Sequence, residues 1–488
     1  MSNQKLLFSY IFLIAVLLAD FSYSFCQYYK APIDGDLVPI VLPTGSYERV
    51  LHDPLGFQAF INNETYPATN RFSAHATLSC YFKTVPILLQ SVLDPINSVY
   101  VAAALAKLGM HILLVGLLGL YISSLFNFNL REALLGSVLV SPLLQGFGVY
   151  SEYMGIIDFC ITYAMFYALP IAVLLIFLFP FYKSALQQRS AFKFWMKPLW
   201  FILMIFLVFF GALPAPVLII LFPLSLFVLW FNNYTSDTNG PFLANAINSV
   251  KRINRELLVF FSITSVCSLY SIYVGTKNSE NFWSQMSLMD RYYLLAKGVI
   301  DCFFNINTGL LFVLIALTVN MFLVERFLKI QSKLFFKIAF FMAIFSIIYM
   351  LLLPMGGYRT YRPLIIRRDT IMPVLILIYF CWGVSSIMLL NYFKGKKQIL
   401  FATYLCLFSF FYFYSDKIPE PNATNWNEKQ AFKKIAASHE SCVALERNCS
   451  IMGWSYTDSC SYTSDRAEML QYWNITSKKT QFYQPEIK

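Results

Sequence analysis

SVYVAAALAKLGMHILLVGLLGLYIS, residues 98–123, runs for 26 residues with Lys107 and His111 as its only basic groups and no acidic one. A helix of that length exceeds the ~30 Å hydrocarbon core of a bilayer. Outward from it the pattern repeats: apolar stretches fall near 6–26, 132–148, 158–181, 198–211, 215–231, 257–274, 298–323, 334–353, 371–393 and 398–414. The composition agrees, with 58% hydrophobic and 13% charged residues, 48 Phe and 31 Tyr among 488, and a mean hydropathy of +0.58. A water-soluble domain cannot hide that much apolar surface, whereas a bilayer asks for it. The expected fold is an all-α integral membrane protein, a polytopic bundle of about eleven transmembrane helices.

The net charge of +11 does not form a basic groove. Arg131, then Lys183, Arg189, Lys193 and Lys197, then Lys251, Arg252 and Arg255, then Arg326, Lys329 and Lys333, then Lys394, Lys396 and Lys397 sit in alternate short loops. By the positive-inside rule that side is the cytoplasm, and nucleic acid is not an expected partner. The chain then divides into an anchor over 1–26, a long first outer loop over 27–97 with interfacial helices, a membrane bundle over 98–414 and an outer C-terminal tail over 415–488. The first run reads as an uncleaved anchor, being long for a signal peptide. The stretch 198–231 is broken by Gly211-Ala-Leu-Pro-Ala-Pro216, so it is either a tight hairpin or a re-entrant loop.

Two outer segments depart from these rules. Residues 354–370, PMGGYRTYRPLIIRRDT, place Arg359, Arg362, Arg367 and Arg368 on the side where positive charge is scarce, against a single Asp369. Guanidinium forks bind phosphate bidentately and keep their charge in a partly dry site, which suits a lipid-linked phosphate. The plainer reading is that they snorkel to headgroups or pair with acidic loops. Directly after the first run comes CQYYKAPIDGDLVPIVLPTGSYERV, residues 26–50, with Asp34 and Asp36 around Gly35. Carboxylates at an interface can act as a general base or hold a divalent metal such as Mg or Mn; the plainer reading of Asp-Gly-Asp is a turn.

Supporting candidates are Glu152 and Asp158, which either orient an acceptor sugar or neutralise an arginine, and Lys107 with His111 on one helix face. These two either point into the bundle or, if the helix begins earlier, Lys107 lies near its end. Of ten cysteines, five (Cys160, Cys267, Cys302, Cys381, Cys406) lie in apolar runs as small hydrophobes. In an oxidising compartment two of Cys442, Cys449 and Cys460 should pair, and the third can meet Cys80 of the first loop. The tail tryptophans Trp426, Trp454 and Trp473 read as anchors or as sugar-stacking groups. Asn63, Asn233, Asn422, Asn448 and Asn474 match the glycosylation string, taken as chance in an Asn-rich chain. No Walker loop, dinucleotide fingerprint or zinc-ligand cluster is present, so soluble-nucleotide chemistry has no support.

This organisation resembles the GT-C class of membrane glycosyltransferases, and in length, outer tail and broken segment it looks like the phage-borne serotype-converting glucosyltransferases that add glucose to O-antigen repeats. The likeness covers most of the chain and rests on organisation and the two short motifs. It implies a polyprenyl-phosphate sugar donor, a cell-surface glycan acceptor such as O-antigen, Asp34 or Asp36 as base or metal ligand, and Arg359, Arg362, Arg367 and Arg368 on the lipid phosphate. It also implies a bacterial inner membrane with the site facing the periplasm. The acidic motif departs from a plain adjacent pair, which leaves open which carboxylate matters. An O-antigen polymerase, which rests more on two arginine-bearing outer loops, a transporter or flippase of a lipid-linked glycan, and a membrane O-acyltransferase using His52, His75 or His439 are the alternatives.

Overall fold

The computed structural model describes residues 3–148, 153–187, 192–235, 242–281, 286–360, 362–418 and 424–486. Among these, nine helices are long and apolar enough to cross a bilayer: Leu6–Tyr29, Pro95–Phe126, Ile161–Gln187, Pro214–Tyr234, Arg255–Gly275, Gly309–Leu328, Lys333–Gly356, Arg368–Tyr392 and Lys396–Ser415. Local chemistry fixes their starts. The Pro95–Ser123 helix opens on Asp94, whose carboxylate accepts the N–H of Asn97 at 3.0 Å, with Pro95 where no donor is needed. Asn254 caps Arg255–Gly275 in the same way. Their outward faces carry bare Phe8, Phe12, Phe340 and Leu400, tolerable only in lipid. The chain is an integral membrane protein.

The remaining two expected spans take other forms. Of 132–148 only Leu130–Val140 is α-helical, about 16 Å long and too short to span. Yet the chain must cross here. Tyr29 Oη donates to Asn97 Oδ1 at 2.7 Å and Thr162 N donates to Asp34 Oδ2 at 3.0 Å, so the Ile161–Gln187 helix starts at the end from which Pro95–Phe126 departs. The return is completed by the 3-10 turn Ser141–Leu143 and the strand Gln145–Gly146, paired parallel with Ile157–Asp158. Pro142 prevents the helix from continuing, and the irregular backbone survives at this depth because protein encloses it.

The stretch 198–231 is a hairpin. Helices Met196–Val208 and Pro214–Thr235 meet at Gly211, whose φ of +144° and closeness to the Phe166 carbonyl suit only glycine. Both feet lie at one end, where Lys197 pairs with Glu256 at 2.7 Å and Asn233 donates to Ser249 O at 3.2 Å. The expected run 298–323 is instead broken at Asn305–Thr308. It gives an amphipathic helix, Leu288–Phe304, and a separate span, Gly309–Leu328.

The first loop holds four short helical pieces and one long helix, Phe72–Leu89, laid against Pro95–Ser123. The tail is not purely helical: strand Cys442–Ala444 pairs parallel with Gln481–Tyr483, flanked by Trp426–Ala437 and Ser464–Tyr472. A Cys442–Cys460 disulfide closes it. The expected link from Cys449 to Cys80 is absent; both thiols are free. Hydrogen bonds hold the tail to the first loop instead. Trp473 Nε1 donates to Phe82 O at 3.0 Å, Gln90 Nε2 to Trp473 O at 2.7 Å and Asn425 N to Lys30 O at 2.7 Å.

Candidate functional site

The first span ends at Tyr29, and Pro32 turns the chain so that Asp34-Gly35-Asp36 lies across the end of the bundle. The two carboxylates have different fates. Asp34 is 6% exposed, and its oxygens accept the N–H groups of Asp36 at 3.2 Å and Thr162 at 3.0 Å. Asp36 is half-buried, and its Oδ1 accepts the indole N–H of Trp454 from the tail at 2.8 Å. Gly35 permits this approach, since a Cβ there would stand 2.7 Å from Trp454 Cδ1 and 2.8 Å from its backbone N. Burial pushes both carboxyls above their ordinary range, opposed at Asp34 by Thr162 and at Asp36 by Trp454.

Facing them is the arginine loop. Arg368 pairs with Asp158 at 2.7 Å, while Arg362 and Arg367 share Asp369 at 2.8 and 3.0 Å; both aspartates are fully buried. Asp369 sits in the first turn of Arg368–Tyr392, where a negative charge is favoured by the helix dipole. A π-helical turn, Ala164–Ala168, interrupts the facing helix. Beside it Tyr163 lies under the Arg367 guanidinium at 4.6 Å, and Tyr167 Oη accepts from Arg362 at 2.8 Å. Arg359 reaches a neighbouring group, Glu280 at 3.5 Å and Asn281 Oδ1 at 2.8 Å. The four guanidinium side chains are only 12 to 23% exposed. They are held within the protein and do not reach out to headgroups.

Glu280 also accepts from Tyr47 Oη at 2.7 Å and, with Arg367, acts on the charge of Asp36. Burial and Glu280 together push the Tyr47 phenol up. Arg71 stands near Tyr47 and His75, and burial followed by the Arg71 charge lowers the His75 imidazole to about 3, so His75 is neutral at physiological pH. Among the described residues Arg71 has no carboxylate within ion-pair distance. Behind the aspartates Glu428 is wholly buried. It accepts from Ile33 N at 2.9 Å, Tyr100 Oη at 2.8 Å and Met452 N at 2.9 Å, and burial raises it to about 7.

Asp34, Asp36, Asp158, Arg362, Arg367 and Arg368 therefore come together, with Arg359 one group further out. Lys107 joins from below: it is buried, donates to the Phe159 carbonyl next to Asp158, and lies 5.3 Å from the Phe147 ring. His111 does not join. It lies mid-bundle in a separate network, within 3.1 Å of both Tyr28 Oη and the Ser141 carbonyl. Glu152 and Arg189 lie outside the described residues. Asp34 and Asp36 do not fit a metal pair, because N–H groups already direct positive hydrogens at three of their four oxygens. No cluster of three or more His, Cys, Asp or Glu occurs among the described residues to hold an ion.

Sequence reasoning missed Arg71, Glu280, Tyr163, Tyr167 and Glu428, and named Trp454 only among the tail tryptophans. The sequence carries no signal that joins them, because Arg71, the Tyr163 and Tyr167 pair, Glu280 and Glu428 arrive from four separate segments. Comparison with known proteins finds no match: no family model, no curated protein and no solved structure corresponds to this chain.

Proposed function

We propose that this protein is a membrane glycosyltransferase that moves a sugar, with glucose the first to test, from a polyprenyl-phosphate donor to a cell-surface glycan such as O-antigen. The reaction takes place on the periplasmic face of a bacterial inner membrane, with the N terminus cytoplasmic. The observation that carries the reading is the half-buried Asp36, with a raised carboxyl, set beside an arginine cluster at one end of an apolar bundle. The lysines and arginines of the short loops gather at the other end, which the positive-inside rule makes cytoplasmic.

In this reading Asp36 is the base and Asp34 the positioning residue, since Asp34 is buried and each of its oxygens already accepts a backbone N–H. The acceptor oxygen attacks the anomeric carbon, and the bond from that carbon to the phosphate oxygen breaks. The electron pair leaves with the lipid phosphate and the hydroxyl proton passes to Asp36. Arg367, whose charge acts on Asp36, and Arg71, which has no carboxylate within ion-pair distance among the described residues, stabilise the charge on the departing phosphate. The apolar bundle and surrounding lipid hold the polyprenyl chain. Transport is the second reading, favoured by a cavity of about 520 Å³ at the opposite end, lined by Gln331, Asn391 and Lys394 among apolar groups.

The test is transfer of radiolabelled sugar from polyprenyl-phosphate donors to lipopolysaccharide in membranes carrying the wild type or Asp36→Asn at equal protein level. Covalent product made by the wild type and lost in the variant is expected. Movement of intact lipid-linked sugar with no product would give the protein to transport.

A further inference from the structure

We propose that Trp454 is the acceptor platform of this site, the open face of its indole stacking on the apolar face of a pyranose ring whose hydroxyl edge is then presented to Asp36. The inference rests on the transferase reading and names a subsite within it. Trp454 is 57% exposed, yet it is fixed on three sides. Its N–H is bound to Asp36 Oδ1 at 2.8 Å, one face packs nearly parallel to Tyr163 at 5.9 Å between centroids and 25°, and its backbone presses on Gly35.

The segment that carries it is braced from behind. Glu428 binds Met452 N and Ile33 N together, and Arg466 donates to Ile451 O at 3.2 Å and to Thr457 Oγ1 at 2.9 Å. An exposed indole held this firmly loses little freedom when a ligand covers it. A membrane anchor requires a different arrangement, with the N–H free to meet the headgroup region. Here the N–H turns inward to a carboxylate, and Asp36 Oδ2 accepts no hydrogen bond from the described residues. A stacked sugar therefore finds a carboxylate oxygen at its edge.

The ring is complementary to a saccharide in chemical type: CH groups on one face for the indole, hydroxyls around the rim for Asp36. Trp426 supplies the comparison, being a tail tryptophan 65% exposed at the start of its helix and outside this cluster.

The experiment uses the full chain in lipid nanodiscs and, as probes, oligosaccharide released from lipopolysaccharide by mild acid and maltotetraose, with binding read by calorimetry and tryptophan fluorescence. Trp454→Ala is expected to weaken binding on the order of tenfold, Trp454→Phe less, and Trp426→Ala not at all. In the transfer assay Trp454→Phe should raise KM and, because the indole N–H no longer opposes the rise of the Asp36 carboxyl, should also move the pH profile of kcat upward. Equal losses for Trp426→Ala and Trp454→Ala, or no binding of either probe by a folded wild type, would overturn the platform. Saccharide binding that needs Trp454, with no transfer from any polyprenyl-phosphate donor, would keep the platform and remove the transferase reading.

Discussion

Two buried polar clusters lie within this bundle, and they are built on opposite electrical plans. Mid-bundle, Asp20, Ser24, Tyr28, His111, Ser141 and Gln145 bond to one another. Gln145 Nε2 donates to Asp20 Oδ1 at 3.0 Å and to Ser24 Oγ at 2.6 Å, Ser141 Oγ donates to Asp20, and no lysine or arginine takes part. It has a single carboxylate and a net of short side chains, which is how polar groups are made tolerable inside a membrane. At the end of the bundle, Asp34, Asp36, Asp158, Asp369 and Glu280 meet Lys107, Arg71, Arg359, Arg362, Arg367 and Arg368. That cluster costs far more desolvation, and two of its arginines share one aspartate. The difference separates a brace from a site: the first ties short side chains to one another and leaves the buried Gln145 Oε1 without a hydrogen bond among the described residues, whereas the second gathers several cations and a half-open carboxylate at a surface.

The sharpest way to break the comparison is at Asp36 and Asp34. Asp36→Asn should lower transfer by about 10²- to 10⁴-fold, the usual contribution of a general base, with the melting temperature in detergent nearly unchanged. Asp34→Asn should act the other way round, lowering stability through loss of the charge that holds Thr162 N and Asp36 N, with transfer per folded molecule retained in larger part. Reversal of this order would make Asp34 the reacting group. Next in size is the Asp158–Arg368 pair. Removing either partner alone, as Asp158→Asn or Arg368→Gln, leaves a buried charge and should cost about 3–5 kcal/mol. The double variant should recover much of that loss, and a strictly additive cycle would argue that the two do not pair in the membrane.

Much of this architecture could be read from the sequence, and the exceptions share a cause. The nine long apolar helices follow from length and hydropathy, as does the polar tail. The 132–148 span was misread because hydropathy reports burial and not helicity: Ser141, Gln145 and Gly146 are enclosed by protein as fully as a helix would be by lipid. The 298–323 run was misread because Asn305–Thr308 is a short polar break that averages away in a window of about 20 residues. The arginine loop and Asp-Gly-Asp stood out because they violate local rules. Glu280, Tyr163 and Glu428 violate none; what makes them notable is proximity across 100 or more residues of chain, which only the fold supplies.

Glu428 gives a pH test of how the tail closes over the site. Its folded carboxyl is raised to about 7 from an ordinary 4.5, so the docked state binds more protons than the undocked one between those values. Stability from this group is fully present below the ordinary value and is lost as pH rises through about 7, by on the order of 3 kcal/mol. Protection against hydrogen exchange in Trp426–Ala437, corrected for the base-catalysed intrinsic rate, should therefore be greater at about pH 5.5 than at about pH 8, and Glu428→Gln should flatten the dependence. Protection that is insensitive to pH in the wild type would mean that Glu428 stays ionised on its three donors.

The smallest effect expected is at the brace. His111→Phe fills the ring volume but takes the imidazole away from the buried Tyr28 Oη, while the Ser141 hydroxyl keeps Asp20, at about 1–3 kcal/mol in stability. If the mid-bundle network is only a brace, sugar transfer per folded molecule should match the wild type, and its pH profile should not move. A shifted profile at full folding would join the two clusters into one proton path. The route would lie through Tyr28 and the Asp416 carboxylate, which accepts from Phe147 N at 2.9 Å beside Lys107. An unchanged profile confines the chemistry to the bundle end, where the carboxylates and arginines already meet.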